Sequence, residues 1–177
     1  MAIKGVALGL VTTCVASTAS AVDLDGTIFS HAAQAHGLDP LLVYSVALAE
    51  SASGRGNGSI GPWPWTLRAP GQPVYTASER QAEEALTQLQ QQHGGAIDVG
   101  LMQVNIRWNG HRVASPADLL DPATNVMVGA TILAEAIQSS PSDLELGIGR
   151  YHAWEDEARA RNYGSRVLAI YRNLHEL

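Results

Sequence analysis

Residues 39–51 read DPLLVYSVALAES, and both ends of this stretch bear on the fold. Asp39 suits the cap of a helix, because an aspartate side chain accepts hydrogen bonds from the free N–H groups at a helix start. Pro40 suits the first helical position, where its missing N–H costs nothing. The stretch therefore predicts a helix over 39–51 with a glutamate, Glu50, near its end.

Glu50 lies beside the apolar stripe of this predicted helix. On a 3.6-residue period it shares a face with Val43, Val46 and Ala47, which we expect to face the core. Burial disfavours a charged carboxylate and raises its pKa, as a general acid working near neutral pH requires. The alternative is a solvated glutamate at a fraying helix end, or one that caps the following loop. Periodicity alone leaves both interpretations open.

The rest of the chain also favours helices. Further helices are predicted at 76–95, where Thr76 and Glu79 have capping-box spacing, at 121–140, at 142–154, where Ser142 and Glu145 repeat that spacing, and from about Asp156 onward. Strand patterns are nearly absent, so the predicted fold class is mainly α.

Two glycine-rich segments interrupt the helical pattern. Residues 53–75, SGRGNGSIGPWPWTLRAPGQPVY, combine glycine, proline and tryptophan, which predicts a loop. Residues 94–110, GGAIDVGLMQVNIRWNG, form the second segment. We expect both segments to lie over the same face as the end of the 39–51 helix.

The first residues, MAIKGVALGLVTTCVASTASA, have the pattern of a secretory signal peptide. One basic residue precedes a short apolar run and an A-x-A site, which predicts a signal peptide over 1–21 rather than a stable membrane anchor. The only cysteine, Cys14, lies in this segment, so disulfides and cysteine catalysis are not expected in the exported chain. Residues 22–177 suffice for one domain.

The charge balance and the histidines exclude several functions. The formal net charge is −6, which disfavours nucleic acid as a partner because phosphates are neutralised by clustered lysine and arginine. The 6 histidines show no metal-binding spacing such as H-E-x-x-H. We therefore expect neither a metal nor another cofactor.

Three motifs, in this order, resemble those of the soluble lytic transglycosylase family: ES at 50–51, GLMQVN at 100–105, and the tyrosine of GRYHAW at 149–154. The resemblance covers roughly residues 29 to 175. It implies a lysozyme-like fold of the α+β superfamily over residues 22–177, with the glycine-, proline- and tryptophan-rich loop as an insertion.

The resemblance also implies a role for each matching residue. Glu50 would be the sole catalytic acid and base, and Tyr151 would point toward it. The expected substrate-binding residues are Ser51, Met102, Gln103, Asn105, Tyr151 and, as candidates for stacking on sugar rings, Trp63 and Trp65. The amides of Gln103 and Asn105 suit N-acetyl sugars above an apolar floor, although either side chain could instead cap a helix.

The chain departs from the family pattern at two points. His152 stands where many members have asparagine after the tyrosine, which leaves the contact at that position open. Glu50 and Gln103 lie farther apart along the chain than is common, and the extra length resembles small single-domain members associated with conjugation, pilus and secretion machines. The resemblance thus implies peptidoglycan glycan strands as substrate, machinery components as partners, and a periplasmic or otherwise exported location.

Three functions remain open at the level of the sequence. The first is a lytic transglycosylase that cleaves the β-1,4 bond between N-acetylmuramic acid and N-acetylglucosamine and leaves 1,6-anhydromuramic ends. The second is a peptidoglycan-binding or scaffold protein of such a machine that does not cut. The third is a hydrolysing lysozyme, which usually needs two carboxylates and would use Asp98 as the second.

Overall fold

A computed structural model describes residues 22–54, 56 and 58–176 of the chain. The proposed signal peptide over 1–21 lies outside these residues. The seven α-helices of the described part are α1 (Ile28–His36), α2 (Pro40–Ser51), α3 (Glu79–His93), α4 (Ile106–Asn109), α5 (Pro122–Gln138), α6 (Leu144–Arg150) and α7 (Glu157–His175). Two short 3-10 turns, Gly110–Arg112 and Pro116–Leu120, lie between α4 and α5.

Six short strands accompany the helices: β1 (Ala52–Gly54), β2 (Ile60–Pro62), β3 (Thr66–Ala69), β4 (Gln72–Tyr75), β5 (Asp98–Val99) and β6 (Val104–Asn105). Strands β1 and β2 form one antiparallel pair, and the others form an antiparallel sheet in the order β4-β3-β5-β6. The mainly helical fold class is confirmed. The prediction of a plain loop over 53–75 is wrong, because this segment supplies four of the strands.

Helix α2 begins as the sequence predicts. Asp39 accepts a hydrogen bond from the Leu41 N–H at 2.8 Å, and Pro40 occupies the first turn. Two other predicted caps are each displaced toward the C-terminus: Ser78 caps α3 in place of Thr76, and Asp143 caps α6 in place of Ser142. The Thr76 hydroxyl instead donates to the Trp65 carbonyl at 3.1 Å.

The core lies between the helices and the four-stranded sheet. Its largest fully buried side chains include Val43 and Val46 of α2, Leu133 of α5 and Ile148 of α6. Within the described part of the chain, no helix combines the length and the apolar character needed to cross a bilayer.

Helices α6 and α7 pack unusually closely. A Cβ atom added to Gly149 of α6 would lie 2.0 Å from the Ala160 carbonyl oxygen of α7, so only glycine fits this contact. The close approach stacks the ring of His152, just after α6, on that of Tyr163 in α7, with centroids 4.8 Å apart. This packing places the tyrosine of the GRYHAW motif and its neighbour beside the end of α2.

Candidate functional site

The end of α2 is fastened to the second glycine-rich segment. The Ser51 hydroxyl contacts the Leu101 carbonyl at 2.8 Å and the Ala47 carbonyl at 3.1 Å. The expectation that Ser51 binds substrate directly is wrong, because the residue is 1% exposed. Its contacts instead fix Glu50, the preceding residue, against the segment that builds the opposite wall of the site.

Glu50 is a buried carboxyl with a strongly raised pKa. Its side chain is 12% exposed, and desolvation by burial raises its pKa from 4.5 to about 7. Tyr163 and the guanidinium of Arg166 oppose this effect, while the negative charge of Asp98 adds to it. At neutral pH the carboxyl therefore divides its time between the protonated and charged forms, so it is able both to donate and to accept a proton.

Two tyrosines flank this carboxyl. The Tyr151 hydroxyl donates to the Met102 carbonyl at 2.6 Å, so it anchors the GLMQVN segment. The buried Tyr163 hydroxyl has no hydrogen bond of regular geometry, yet it lies close enough to Glu50 to lower the pKa of that carboxyl. Tyr163 was not predicted as a site residue, because its place on the apolar stripe of α7 is that of an ordinary core tyrosine.

The segment over 98–105 forms a tight turn between β5 and β6, and Asn125 of α5 holds it. Asn125 accepts a hydrogen bond from the Met102 N–H at 2.8 Å, and its amide donates to the Val99 and Leu119 carbonyls at 2.8 and 2.9 Å. Gly100 has a φ of 79°, and a Cβ there would lie 2.3 Å from the Asn125 amide nitrogen. Glycine is therefore required here to admit Asn125.

Met102 was among the expected substrate-binding residues, but it is fully buried and offers no surface for direct contact with a substrate. Its side chain is 0% exposed and packs against Gly129, where an added Cβ would lie 2.6 Å from it. It supports the turn from beneath, as an apolar floor.

Gln103 and Asn105 both line the cavity that contains Glu50. The Gln103 amide donates to the Thr66 and Gly100 carbonyls at 3.0 and 2.9 Å, which leaves its oxygen without a partner. Asn105 donates to Asp98 at 2.7 Å and also caps α4 by accepting from the Trp108 N–H at 3.3 Å. Asn105 therefore caps a helix, as the alternative interpretation held, and it also lines the cavity wall.

Glu50 lies where two cavities meet. The larger, of about 670 Å³, is lined among others by Asp98, Gln103, Asn105 and Tyr151 and by two exposed tryptophans, Trp108 and Trp154. The smaller, of about 460 Å³, is lined by Ala49, Glu50, Arg68, His152, Arg159, Asn162, Tyr163 and Arg166. Glu50, Arg68 and His152 belong to both, so the two cavities are halves of one groove.

The tryptophans expected to stack on sugars lie elsewhere. Trp63 and Trp65 pack edge to face with centroids 5.7 Å apart, and neither lines the groove. The Trp63 ring N–H donates to the Thr76 carbonyl at 2.8 Å, so Trp63 links the chain between β2 and β3 to the residue after β4. The aromatic side chains available to a sugar are Trp108 and Trp154, which are 72% and 54% exposed.

His152 occupies the position where the sequence departs from the family. Its Nδ1 lies 4.0 Å from the nearer Glu50 oxygen. Burial and the neighbouring charges of Arg159 and Arg166 lower the pKa of its imidazole, so the ring is neutral at neutral pH and forms no ion pair with Glu50. Among the residues that the structure describes, no cluster of histidine, cysteine, aspartate or glutamate is placed to hold a metal ion.

The fold and this groove agree with a comparison against known families. The model of the transglycosylase SLT domain matches residues 27–166, which is most of the chain. No curated protein and no solved structure matched. The family implies a lysozyme-like fold, peptidoglycan as substrate and degradation of the lytic transglycosylase type. Because the family model matches most of the chain, and the groove around Glu50 agrees with it, the chain belongs to the transglycosylase SLT domain family.

Proposed function

We propose that this protein cleaves the β-1,4 bond between N-acetylmuramic acid and N-acetylglucosamine and leaves a 1,6-anhydromuramic end. The observation that carries the proposal is Glu50, a buried carboxyl with a pKa of about 7 at the junction of the two halves of a groove. A glycan chain laid along that groove would present one glycosidic bond to this carboxyl.

A single carboxyl suffices for this reaction if it acts twice. The protonated Glu50 first donates its proton to the glycosidic oxygen as the bond from C1 to that oxygen breaks. The carbonyl oxygen of the substrate's own N-acetyl group bonds to C1 and stabilises the positive charge. The Glu50 carboxylate then takes the proton of the muramic 6-hydroxyl, whose oxygen attacks C1 and displaces the N-acetyl oxygen. No water is consumed, and Glu50 ends protonated.

The walls of the larger cavity suit N-acetyl sugars. The wall carries two amide side chains, Gln103 and Asn105, whose type suits sugar hydroxyl and acetamido groups. Trp108 and Trp154 offer exposed aromatic faces to the apolar faces of pyranose rings. These features support glycan binding by the side chains just named.

Asp98 is the residue that separates this proposal from a hydrolysing lysozyme. It lines the same cavity as Glu50, its pKa is raised by burial, and its oxygen accepts the Asn105 amide at 2.7 Å. We expect Asp98→Asn to keep activity within about tenfold of the wild type, because an asparagine oxygen can accept the same hydrogen bond.

The measurement is the rate at which a suspension of purified peptidoglycan clears, for the wild-type and Asp98→Asn proteins at equal concentration. A loss of about a hundredfold or more would make Asp98 a second catalytic carboxyl and favour the lysozyme.

The pH dependence follows from the raised pKa of Glu50. Because the first step needs the protonated acid, kcat/KM is expected to fall as the pH rises through about 7. Tyr163 lowers the pKa of Glu50, so Tyr163→Phe should move this falling limb to higher pH. A pH series on soluble glycan fragments measures both effects. A fall in kcat/KM centred near pH 4.5, the ordinary pKa of a glutamate, would contradict the assignment of Glu50 as the acid.

We further propose that residues 1–21 are removed on export and that the protein acts in the periplasm, beside an envelope-spanning conjugation, pilus or secretion machine. The support is the signal-peptide pattern and the resemblance to small single-domain transglycosylases. The intact mass of protein recovered from the periplasm tests the export step, and a mass that still includes residues 1–21 would contradict it.

A further inference from the structure

One face of α7 carries a row of polar side chains into the smaller cavity. Arg159, Asn162 and Arg166 are spaced at i, i+3 and i+7, so they share one side of the helix. Arg68 of β3 completes the set from the sheet. We call these four residues the cationic lobe.

The arginines of the cationic lobe form no close ion pairs. Among the described residues, no carboxylate forms an ion pair with Arg68, Arg159 or Arg166. The chain has other arginines that do form such pairs, namely Arg80, Arg112 and Arg161. Arg68 and Arg166 act on the Glu50 carboxyl only at longer range. Three arginines without an ion pair, gathered in one cavity of a chain with net charge −6, create a local site for an anion.

The lobe is partly preorganised. The Arg166 guanidinium lies over the Tyr163 ring, 5.3 Å from its centroid, and donates to the Ala49 carbonyl at 3.4 Å. The cavity of about 460 Å³ has room for a sugar and its substituent. Guanidinium groups bind planar carboxylates through paired hydrogen bonds, which makes a carboxylate the anion that suits these side chains.

We propose that the cationic lobe binds a carboxylate carried by the N-acetylmuramic acid residue beside the scissile bond, either that of its lactyl group or one on its stem peptide. The inference rests on the proposed function. In the alternating glycan, N-acetylglucosamine is neutral and only the muramic residue bears acidic groups. Because Glu50 lines the same cavity as the lobe, a muramic residue held there lies directly beside the bond that is cut, and the lobe sets which sugar occupies each half of the groove.

The test is a binding measurement in the Glu50→Gln protein, where turnover cannot obscure affinity. Calorimetric titration uses three soluble oligosaccharides of equal length: a peptidoglycan fragment with stem peptides, the same fragment after amidase treatment, and an N-acetylglucosamine oligosaccharide without carboxylates. Arg159→Gln and Arg159→Lys are added to this background. Arg172→Gln is the matched control, since Arg172 lies exposed on the same helix and lines neither cavity.

We expect Arg159→Gln to weaken binding of a carboxylate-bearing fragment roughly tenfold, the loss typical of a hydrogen bond to a charged group. The neutral oligosaccharide should bind as before, Arg159→Lys should recover part of the loss, and Arg172→Gln should change nothing. A loss confined to the peptide-bearing fragment assigns the carboxylate to the stem peptide. A loss confined to the amidase-treated fragment assigns the carboxylate to the lactyl group. A loss shared by both acidic fragments shows that the lobe binds carboxylates from either source.

Two results would overturn the inference while leaving the proposed function intact: unchanged affinity of Arg159→Gln for both acidic fragments, or an equal loss for the neutral oligosaccharide. If none of the three oligosaccharides binds the Glu50→Gln protein, the proposed function fails together with the inference.

Discussion

Glu50→Gln is expected to reduce the rate of peptidoglycan cleavage by about 10² to 10⁴ or more, because glutamine can neither donate the first proton nor accept the second. The substitution keeps the size of the side chain and removes a carboxyl that is costly to ionise when only 12% exposed, so the fold should persist. The measurement is the initial rate of release of soluble fragments at pH 6, where the wild-type carboxyl is mostly protonated.

Glu83→Gln is the matched control for this substitution. Glu83 lies exposed on α3 and lines neither half of the groove, so its replacement should leave the rate unchanged. Retention of more than about a tenth of the wild-type rate by Glu50→Gln would remove Glu50 from its catalytic role. If the Glu50→Gln protein still supports the biological function, and the wild-type protein cleaves no peptidoglycan, the scaffold alternative is favoured.

Asn125→Ala is expected to be the most destabilising of the substitutions considered. Asn125 is 1% exposed, and its side chain satisfies three backbone groups, those of Val99, Met102 and Leu119. Alanine would leave all three without partners in the interior, at about 1 kcal/mol or more for each. We therefore expect a loss of about 3 kcal/mol in the free energy of unfolding.

Urea denaturation followed by circular dichroism measures this loss. Asn173→Ala is the control, since Asn173 is exposed on α7 and should change stability by less than about 0.5 kcal/mol. Activity should fall with stability, because the turn that positions Gln103 would lose its anchor. A loss of less than about 1 kcal/mol would show that Asn125 does not hold this turn.

The helices could be predicted because their signals are local. Two neighbouring residues, Asp39 and Pro40, mark the start of α2. The spacing of the apolar residues that follow then indicates which face of the helix is buried. The strands could not be predicted in the same way. β5 and β6 are 2 residues each, and their pairing depends on distant partners such as β3. Strands this short show no alternation of apolar and polar residues that could be detected in the sequence. Their extended conformation depends on tertiary contacts.

The site was predictable only where a motif identified it. Glu50 was identified by the ES motif and its order relative to GLMQVN, since its place beside an apolar stripe left two interpretations open, and the structure shows it buried with a raised pKa. Tyr163 carried no such signal, because a tyrosine on the core face of a helix is ordinary. Composition likewise could not distinguish Trp63, which packs against the strands, from Trp108, which lines the groove, since the direction of a loop side chain is set by the fold.

The central claim is that one carboxyl cuts the glycan without adding water. The most direct test is to digest purified peptidoglycan with the protein in heavy-oxygen water and to weigh the released fragments by mass spectrometry. We predict fragments one water lighter than hydrolytic products, free of the heavy isotope. Fragments that carry the heavy oxygen at a new reducing end would contradict the claim and make this protein a hydrolase.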